Sequence, residues 1–361
     1  MHKKRLAFVI TIVVVLVGLL AGSIYLYTRW NKPLGPALAG YLSGQPTYPQ
    51  PTLNATEVQV MAQLPTPNLE PTLQPNPVCG NTPILTVLGI GIDYGSKSED
   101  YLHMGDDYLY GLADVIRIVR IDFTRHRVVV FTLDRNIWVQ IPGIADHYGI
   151  TNGMLNQAYF YGVPAMGYYQ GAAGGAGLLA QTLDLNFGLH VDNYGIASMA
   201  AFVKSVDALG GIDVTLTEPV DGGDLGQFNA GTQHLTGLQA LNLARIREGY
   251  SSLIRITDQD VILQGIYNKI RSPEVIGKIP QLIQILRSTL RTDLSPGQIN
   301  DLVCLISKMD SSDLVFAEIP REYYKQSSIY SQDLHQDIFI WDIDFNIIRY
   351  YVNEFQNGQW P

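Results

Sequence analysis

From Leu6 to Tyr27 the chain reads LAFVITIVVVLVGLLAGSIYLY, an essentially uncharged run of the length needed to cross a bilayer. No other feature constrains the architecture as much, because whatever follows must fold on one side of the layer holding the run. MHKKR precedes it, and the positive-inside rule keeps that basic end in the cytoplasm. The expected topology is a cytoplasmic stretch at 1–5, a single-pass anchor at 6–28 in the cell membrane, and an extracytoplasmic main domain. Tyr25, Tyr27 and Trp30 would mark the outer interface. The competing reading is a cleaved signal peptide: LAGS loosely resembles a cleavage site, although signal h-regions are shorter than this run.

Residues 29–82 are rich in Pro, Thr, Gln and Asn, as in PTYPQPTLN and PTPNLEPTLQPNP. Such sequence cannot bury a core and favours extended conformations, so it reads as a linker lifting a domain at 83–361 off the membrane. The two cysteines, Cys79 and Cys304, suit an oxidising compartment and lack CxxC spacing. A bridge would tie the start of the domain to its C-terminal part; two unrelated thiols are the alternative. With 24 Lys+Arg against 33 Asp+Glu the net charge is -9, which argues against a nucleic-acid partner.

Within the domain, ILTVLGIGI is a continuous apolar run, as expected of a strand buried on both faces. VIRIVRIDF, TRHR and VVVFTL read as a hairpin. Helices are expected over 166–187, over ASMAAFVKSVDALGG, over LTGLQALNLARIRE with Thr236 as N-cap, over ITDQDVILQGIYNKI and over IGKIPQLIQILRSTL. The tail DIFIWDIDFNIIRYYVNEF reads as a strand and then an amphipathic helix. The glycines of MGYYQGAAGGAG, the approach to the helix within 166–187, lack nucleotide-site spacing and suggest close packing or a loop. The expected fold class is α/β: a single mixed α/β domain, with a central β-sheet and helices on both faces.

Several blocks, in order, resemble the LytR-CpsA-Psr (LCP) family, also known as the cell envelope-related transcriptional attenuator domain. They are LTVLGIGIDYG, LADVIRIVRID, VVVFTLDRNIWVQIPG, MLNQAYFYG, VDALGGIDV and the run from Phe228 to Asp260, and together they cover roughly Pro83 to Ser307. The resemblance implies a metal held by Asp93 and Asp114, with Mg2+ or Mn2+ as cofactor; Asp106 and Asp107 are rival ligands. It implies that Arg135, Arg245, Arg247 and Arg255 are catalytic and grip a diphosphate, with Asn156 and Gln259 also touching substrate. Arginine suits this work because its planar fork donates paired hydrogen bonds to phosphate. The alternative is an ion-pair lattice with Asp122, Asp134, Glu248 and Asp258. Residues two apart on a helix diverge, so Arg245 and Arg247 can converge only where the helix ends. A lipid carrier also needs an apolar slot, with Phe202, Val203, Ile262 and Leu263 as candidates.

The implied function is a membrane-anchored extracytoplasmic phosphotransferase. It would move a glycopolymer from a polyprenyl-pyrophosphate carrier to a cell-wall acceptor, with lipid pyrophosphatase as a side activity. The alternative is a non-catalytic envelope protein binding isoprenoid phosphate or wall polymer. Transcriptional attenuation ranks last, since an acidic domain outside the membrane does not meet nucleic acid. The chain departs from the family pattern at Leu112, Asn136, Met154, Ser252 and Asp258, where charged residues are usual. Those changes remove positive field around a diphosphate and a possible general base.

Overall fold

The computed structural model describes residues 22, 23, 25, 27–38, 76–93, 110–246, 252–276 and 290–361. Its strands are β1 (Ile84–Asp93), β2 (Leu112–Asp122), β3 (Arg127–Thr132), β4 (Trp138–Gln140), β5 (Asn152–Met154), β6 (Asn193–Ser198), β7 (Ile212–Leu216), β8 (Val220–Asp221), β9 (Gln227–Phe228), β10 (Gly231–Leu235), β11 (Arg291–Thr292), β12 (Leu314–Glu318), β13 (Lys325–Ser331) and β14 (Gln336–Asp342). Its helices are α1 (Gln157–Gly162), α2 (Gly175–Phe187), α3 (Met199–Ala208), α4 (Gly237–Arg245), α5 (Ser252–Ile270), α6 (Pro273–Ile276), α7 (Pro296–Ile306) and α8 (Phe345–Asn357).

Six strands form a mixed central sheet in the order β11-β6-β1-β2-β3-β12. The expected β2–β3 hairpin is there, and β1 lies between antiparallel β2 and parallel β6. Strand periodicity splits β1 into two faces. Leu88, Ile90 and Ile92 join Ile116, Ile118 and Phe131 in a core closed by α1, α2 and α8. The opposite face carries Gly89, Gly91 and Asp93, beneath α3, α4 and α5. The apolar run of β1 is therefore central, as its composition suggests, but one of its faces borders a cavity instead of packed side chains.

The helix expected within 166–187 after a Gly-rich approach runs from Gly175 to Phe187, and Gly174 before it takes φ 57° and ψ −129°, outside helical geometry. The glycines there do serve close packing: a Cβ on Gly175 would lie 2.6 Å from the Tyr159 carbonyl oxygen. The helix expected in IGKIPQLIQILRSTL falls mostly outside the described residues.

The linker boundary also moves. Leu34 N donates to Leu294 O at 3.1 Å, and Leu38 is 6% exposed within the main core. Residues 34–38 thus belong to the domain, because a leucine that finds an apolar site stays in it whatever the composition around it. The proposed anchor at 6–28 lies outside the described residues except for 22, 23, 25, 27 and 28, and no described helix is long and apolar enough to cross a membrane.

Candidate active site

Two carboxylates reach the same place through an irregularity in the sheet. Asp93 is the last residue of β1, paired with Leu112. Gly91 pairs with Val115 but Ile92 pairs with Ala113, so Asp114 is an extra residue in β2. A bulge of this kind re-aims side chains. Here it leaves Ala113 in the core while Asp114 and Val115 both face the side of the sheet under α3–α5.

The surroundings of Asp114 come from two loops. Arg135, just past β3, forms an ion pair with its Oδ2. Asn156 Nδ2 donates to its Oδ1 at 3.2 Å. The backbone ties these pieces together: Asn156 N donates to Arg135 O at 3.2 Å, and Ala113 N to Asn156 O at 3.3 Å. An expected metal ligand and an expected phosphate ligand therefore engage each other. Two buried polar atoms at this junction, Arg135 Nε and Asn156 Oδ1, have no hydrogen-bond partner among the described residues. One is a donor and the other an acceptor, which is an expensive arrangement unless a ligand completes it.

Asp93 and Asp114 open onto a cavity of about 530 Å3. Its walls are overwhelmingly apolar. Gly89, Gly91 and Gly195 form part of the floor, with Val115, Val119, Val128 and Val130 beside them, and Phe202, Leu241, Ile262, Leu263 and Ile266 close the roof. Gly89 and Gly195 are direct partners across the β1–β6 ladder, and a Cβ on Gly195 would touch nothing within 4 Å. The absence of side chains at these positions is what leaves the space. Of the slot residues expected from sequence, Phe202, Ile262 and Leu263 line the cavity. Val203 does not; it is buried beside Leu241.

Arg245 lines the cavity too, as the last residue of α4. The helix ends there, and Ile246 is extended at φ −56° and ψ 128°, as the R-x-R argument requires. Gln259 lines the cavity from α5 and donates to Ala244 O at 3.4 Å. Arg247, Asp106, Asp107 and Glu248 lie outside the described residues, and Arg255 is placed only by its backbone, in the first turn of α5. Asp122 belongs to another cluster, with Arg120 at 3.3 Å, and Asp134 accepts from Asn136 N at 2.8 Å.

The sequence reading missed Arg117. It projects from β2 onto the cavity floor, 4% exposed, in a lateral row with Gly195, Gly89 and Thr132. Its Nη1 contacts Thr132 and donates to Asp260 at 2.6 Å, and its Nη2 donates to Gln259 at 3.1 Å. Burial pulls the Arg117 pKa down, and burial pushes Asp260 up to about 6 although Arg117 opposes that shift. A lone arginine within the apolar alternation of V-I-R-I-V was the available signal.

Among the described residues no group of three His, Cys, Asp or Glu side chains could by itself hold a metal. The donor set nevertheless fits Mg2+, which takes one or two carboxylates and completes its shell with water and phosphate oxygens. Asp93 and Asp114 supply the carboxylates, and the unpartnered Asn156 Oδ1 is a further hard donor beside them.

An apolar cavity opening on Asp93, Asp114 and Arg245 is what the described residues form. The LytR_cpsA_psr family profile matches residues 55–339. The chain belongs to the LytR-CpsA-Psr family. A relative from Oceanobacillus iheyensis named polyisoprenyl-teichoic acid--peptidoglycan teichoic acid transferase TagU is 27% identical over 197 residues, covering 54% of this chain and 57% of that one. Regulatory protein MsrR of Staphylococcus aureus is 25% identical over 184 residues, covering 50% and 51%. The chain thus spans about half the length of these curated relatives. Among solved structures, B. subtilis TagV superposes with a TM-score of 0.57 at 20% identity, covering 76% of this chain and 97% of that one. TagT bound to LI-WTA gives 0.53 at 18%, covering 76% and 90%. These likenesses establish the mixed α/β fold of the family.

Proposed function

We propose that this LytR-CpsA-Psr domain is an extracytoplasmic transferase that moves a glycopolymer from a polyprenyl-pyrophosphate carrier to a hydroxyl of the cell wall. The observation that carries the reading is the 530 Å3 apolar cavity ending at Asp93, Asp114 and Arg245. That shape suits an amphiphile whose hydrocarbon is buried while its diphosphate stops at the mouth. The naming of the Oceanobacillus relative as a teichoic acid transferase and the structure of TagT with LI-WTA support a wall polymer as the cargo.

In this reading the acceptor hydroxyl attacks the sugar-bearing phosphorus. The bond to the bridging oxygen breaks, polyprenyl phosphate leaves with the growing charge, and the hydroxyl proton passes to that departing phosphate. Arg245 at the α4 terminus and Arg135, through its unpartnered Nε, offset that charge. Mg2+ or Mn2+, held by Asp93 and Asp114, would neutralise the diphosphate. Arg247 and Arg255 remain candidates for the same work, and Gln259 and Asn156 for orienting the phosphates. The anchor at 6–28 would keep the enzyme beside its lipid.

One feature favours the second reading, a binding protein without turnover. Leu112 stands opposite Asp93 where the family usually has arginine, so that position supplies no cation to the mouth. Full-length protein in vesicles with a polyprenyl-pyrophosphate-linked glycan, Mg2+ and wall fragments separates the two. Release of polyprenyl phosphate with transfer of glycan supports the enzyme; saturable binding without release supports the alternative. Arg245→Ala should weaken lipid-diphosphate affinity by about 1.5–3 kcal/mol, the usual worth of a charge-assisted hydrogen bond. Unchanged affinity in that variant would remove Arg245 from the site.

A further inference from the structure

The segment that leaves the apolar run does not swing free. The described residues among 22–31 are helical, and at the end of that helix Trp30 meets the domain. A Cβ on Gly297, near the start of α7, would lie 3.1 Å from both Trp30 Cδ1 and Nε1. The chain then runs as a strap along the edge of the sheet. Leu34 N donates to Leu294 O at 3.1 Å. Gly35 passes so close to β11 that a Cβ there would lie 2.7 Å from Thr292 O. Pro36 O accepts from the Tyr194 hydroxyl at 2.9 Å. Leu38 N donates to Asp293 Oδ2 at 3.3 Å, while Asp293 Oδ1 takes Tyr194 N at 2.8 Å. Asp293 is 2% exposed, so this clasp is built into the domain.

The strap lies beside the proposed lipid slot. β11 pairs with β6 at Ile196 and Gly195, and Leu290, Gly195 and Ile196 all line the cavity. Just before the strap in the chain come exposed Tyr25, Tyr27 and Trp30, with Arg29 and Lys32 beside them in sequence, a composition suited to the interface between hydrocarbon and headgroups. From Tyr27 to Trp30 a helix rises about 5 Å. The chain meets the domain again at Val78, whose N donates to Phe123 O at 3.1 Å, and at Cys79, bonded to Cys304. The Pro-rich stretch is thus attached to the domain at both ends.

We propose that the strap at 30–38 seats the domain directly on the lipid bilayer, with the β6–β11 edge of the cavity at headgroup level. This rests on the reading of 6–27 as a membrane span. A flexible tether as long as residues 31–82 would instead hold the domain at a root-mean-square distance of about 40 Å. Seating brings the slot to the leaflet that holds the carrier, so that the hydrocarbon need not cross water to enter.

The test is energy transfer in vesicles. An Asn300→Cys variant of the full chain, labelled with a donor at that exposed position one turn beyond Gly297, is reconstituted with an acceptor dye on the lipid headgroups. High transfer, unchanged when the Pro-rich segment is shortened, is the expected result. Ten Gly/Ser residues inserted between Asn31 and Lys32 leave the contacts of Leu34–Leu38 intact but free the helix, and should at least halve the transfer. The pair Leu38→Asp and Gly35→Leu should undock the strap itself, with circular dichroism confirming a folded domain. Low transfer that rises when the Pro-rich segment is shortened would overturn the seating while leaving the anchor in place. Transfer unaffected by the insertion would also overturn it. Failure of the chain to float with vesicles would instead remove the anchor, and the seating with it.

Discussion

A guanidinium halfway along an apolar cavity must be held by something, and Arg117 is held by Asp260. Two charges removed from water attract strongly but cost a great deal to desolvate. Here desolvation dominates on both sides, lowering the arginine and raising the carboxyl to about 6. The sign of the consequence follows from linkage. The Asp260 pKa is higher in the folded state than its ordinary 3.8, so the folded state binds the proton more tightly, and stability falls as pH rises from about 4 to 6. Asp258, Asp293 and Glu318 are raised as well and add the same sign. Asp122 is lowered, and its opposite contribution falls at and below 3.8. Urea titrations should therefore show a loss on the order of 2 kcal/mol across that window from Asp260. Asp260→Asn should remove that share, and an unaltered slope in the variant would show that Asp260 is not the titrating group. Gly195 offers a complementary test. Its Cβ position is open, so Gly195→Leu should fold at least as well as the parent, since glycine weakens a strand. The added side chain would stand in the slot and should lower polyprenyl-phosphate affinity by tenfold or more, about 1.4 kcal/mol; normal binding would place the lipid elsewhere.

At the level of elements, what is local was readable. Thr236 caps α4 with a full capping box, its side chain accepting from Gln239 N while Gln239 Oε1 accepts from Thr236 N at 2.9 Å. Thr236→Ala should cost about 1 kcal/mol of stability and loosen the helix end that carries Arg245; thermal melts beside lipid-binding curves would report both. The β2–β3 hairpin and the final strand and amphipathic helix were legible for the same reason, since each is decided within a few residues; the end of α4 at Arg245 was not, since the expected helix ran on to Glu248. The bulge at Asp114 was not, because it exists only relative to β1. Nor was the pairing of Arg117 with Asp260, 143 residues away. The cavity was half legible: apolar faces on α3 and α5 suggested a slot, but the glycine floor emerges only when β6 is laid against β1. The family blocks located Asp93 and Asp114, yet they gave no hint that Arg135 would bind the second of them.

The whole molecule is closed by the disulfide between Cys79 and Cys304, 225 residues apart. Linking such distant positions restricts the unfolded chain strongly, by roughly 3–5 kcal/mol. Reduction should lower the denaturant midpoint accordingly, and Cys79→Ser with Cys304→Ser should reproduce the effect; a midpoint indifferent to reductant would mean that the bridge contributes nothing.

The facing glycines carry one further consequence. Where Gly89 and Gly195 lie side by side, the cavity floor is bare backbone, with Arg117 and the valines of β2 and β3 beside it. In the proposed function, a branched hydrocarbon laid over these two glycines would meet no side chain there to hold a methyl group in register. If the cavity takes the polyprenyl chain, affinity should climb with chain length until the cavity is full, at about 0.8 kcal/mol for each buried methylene.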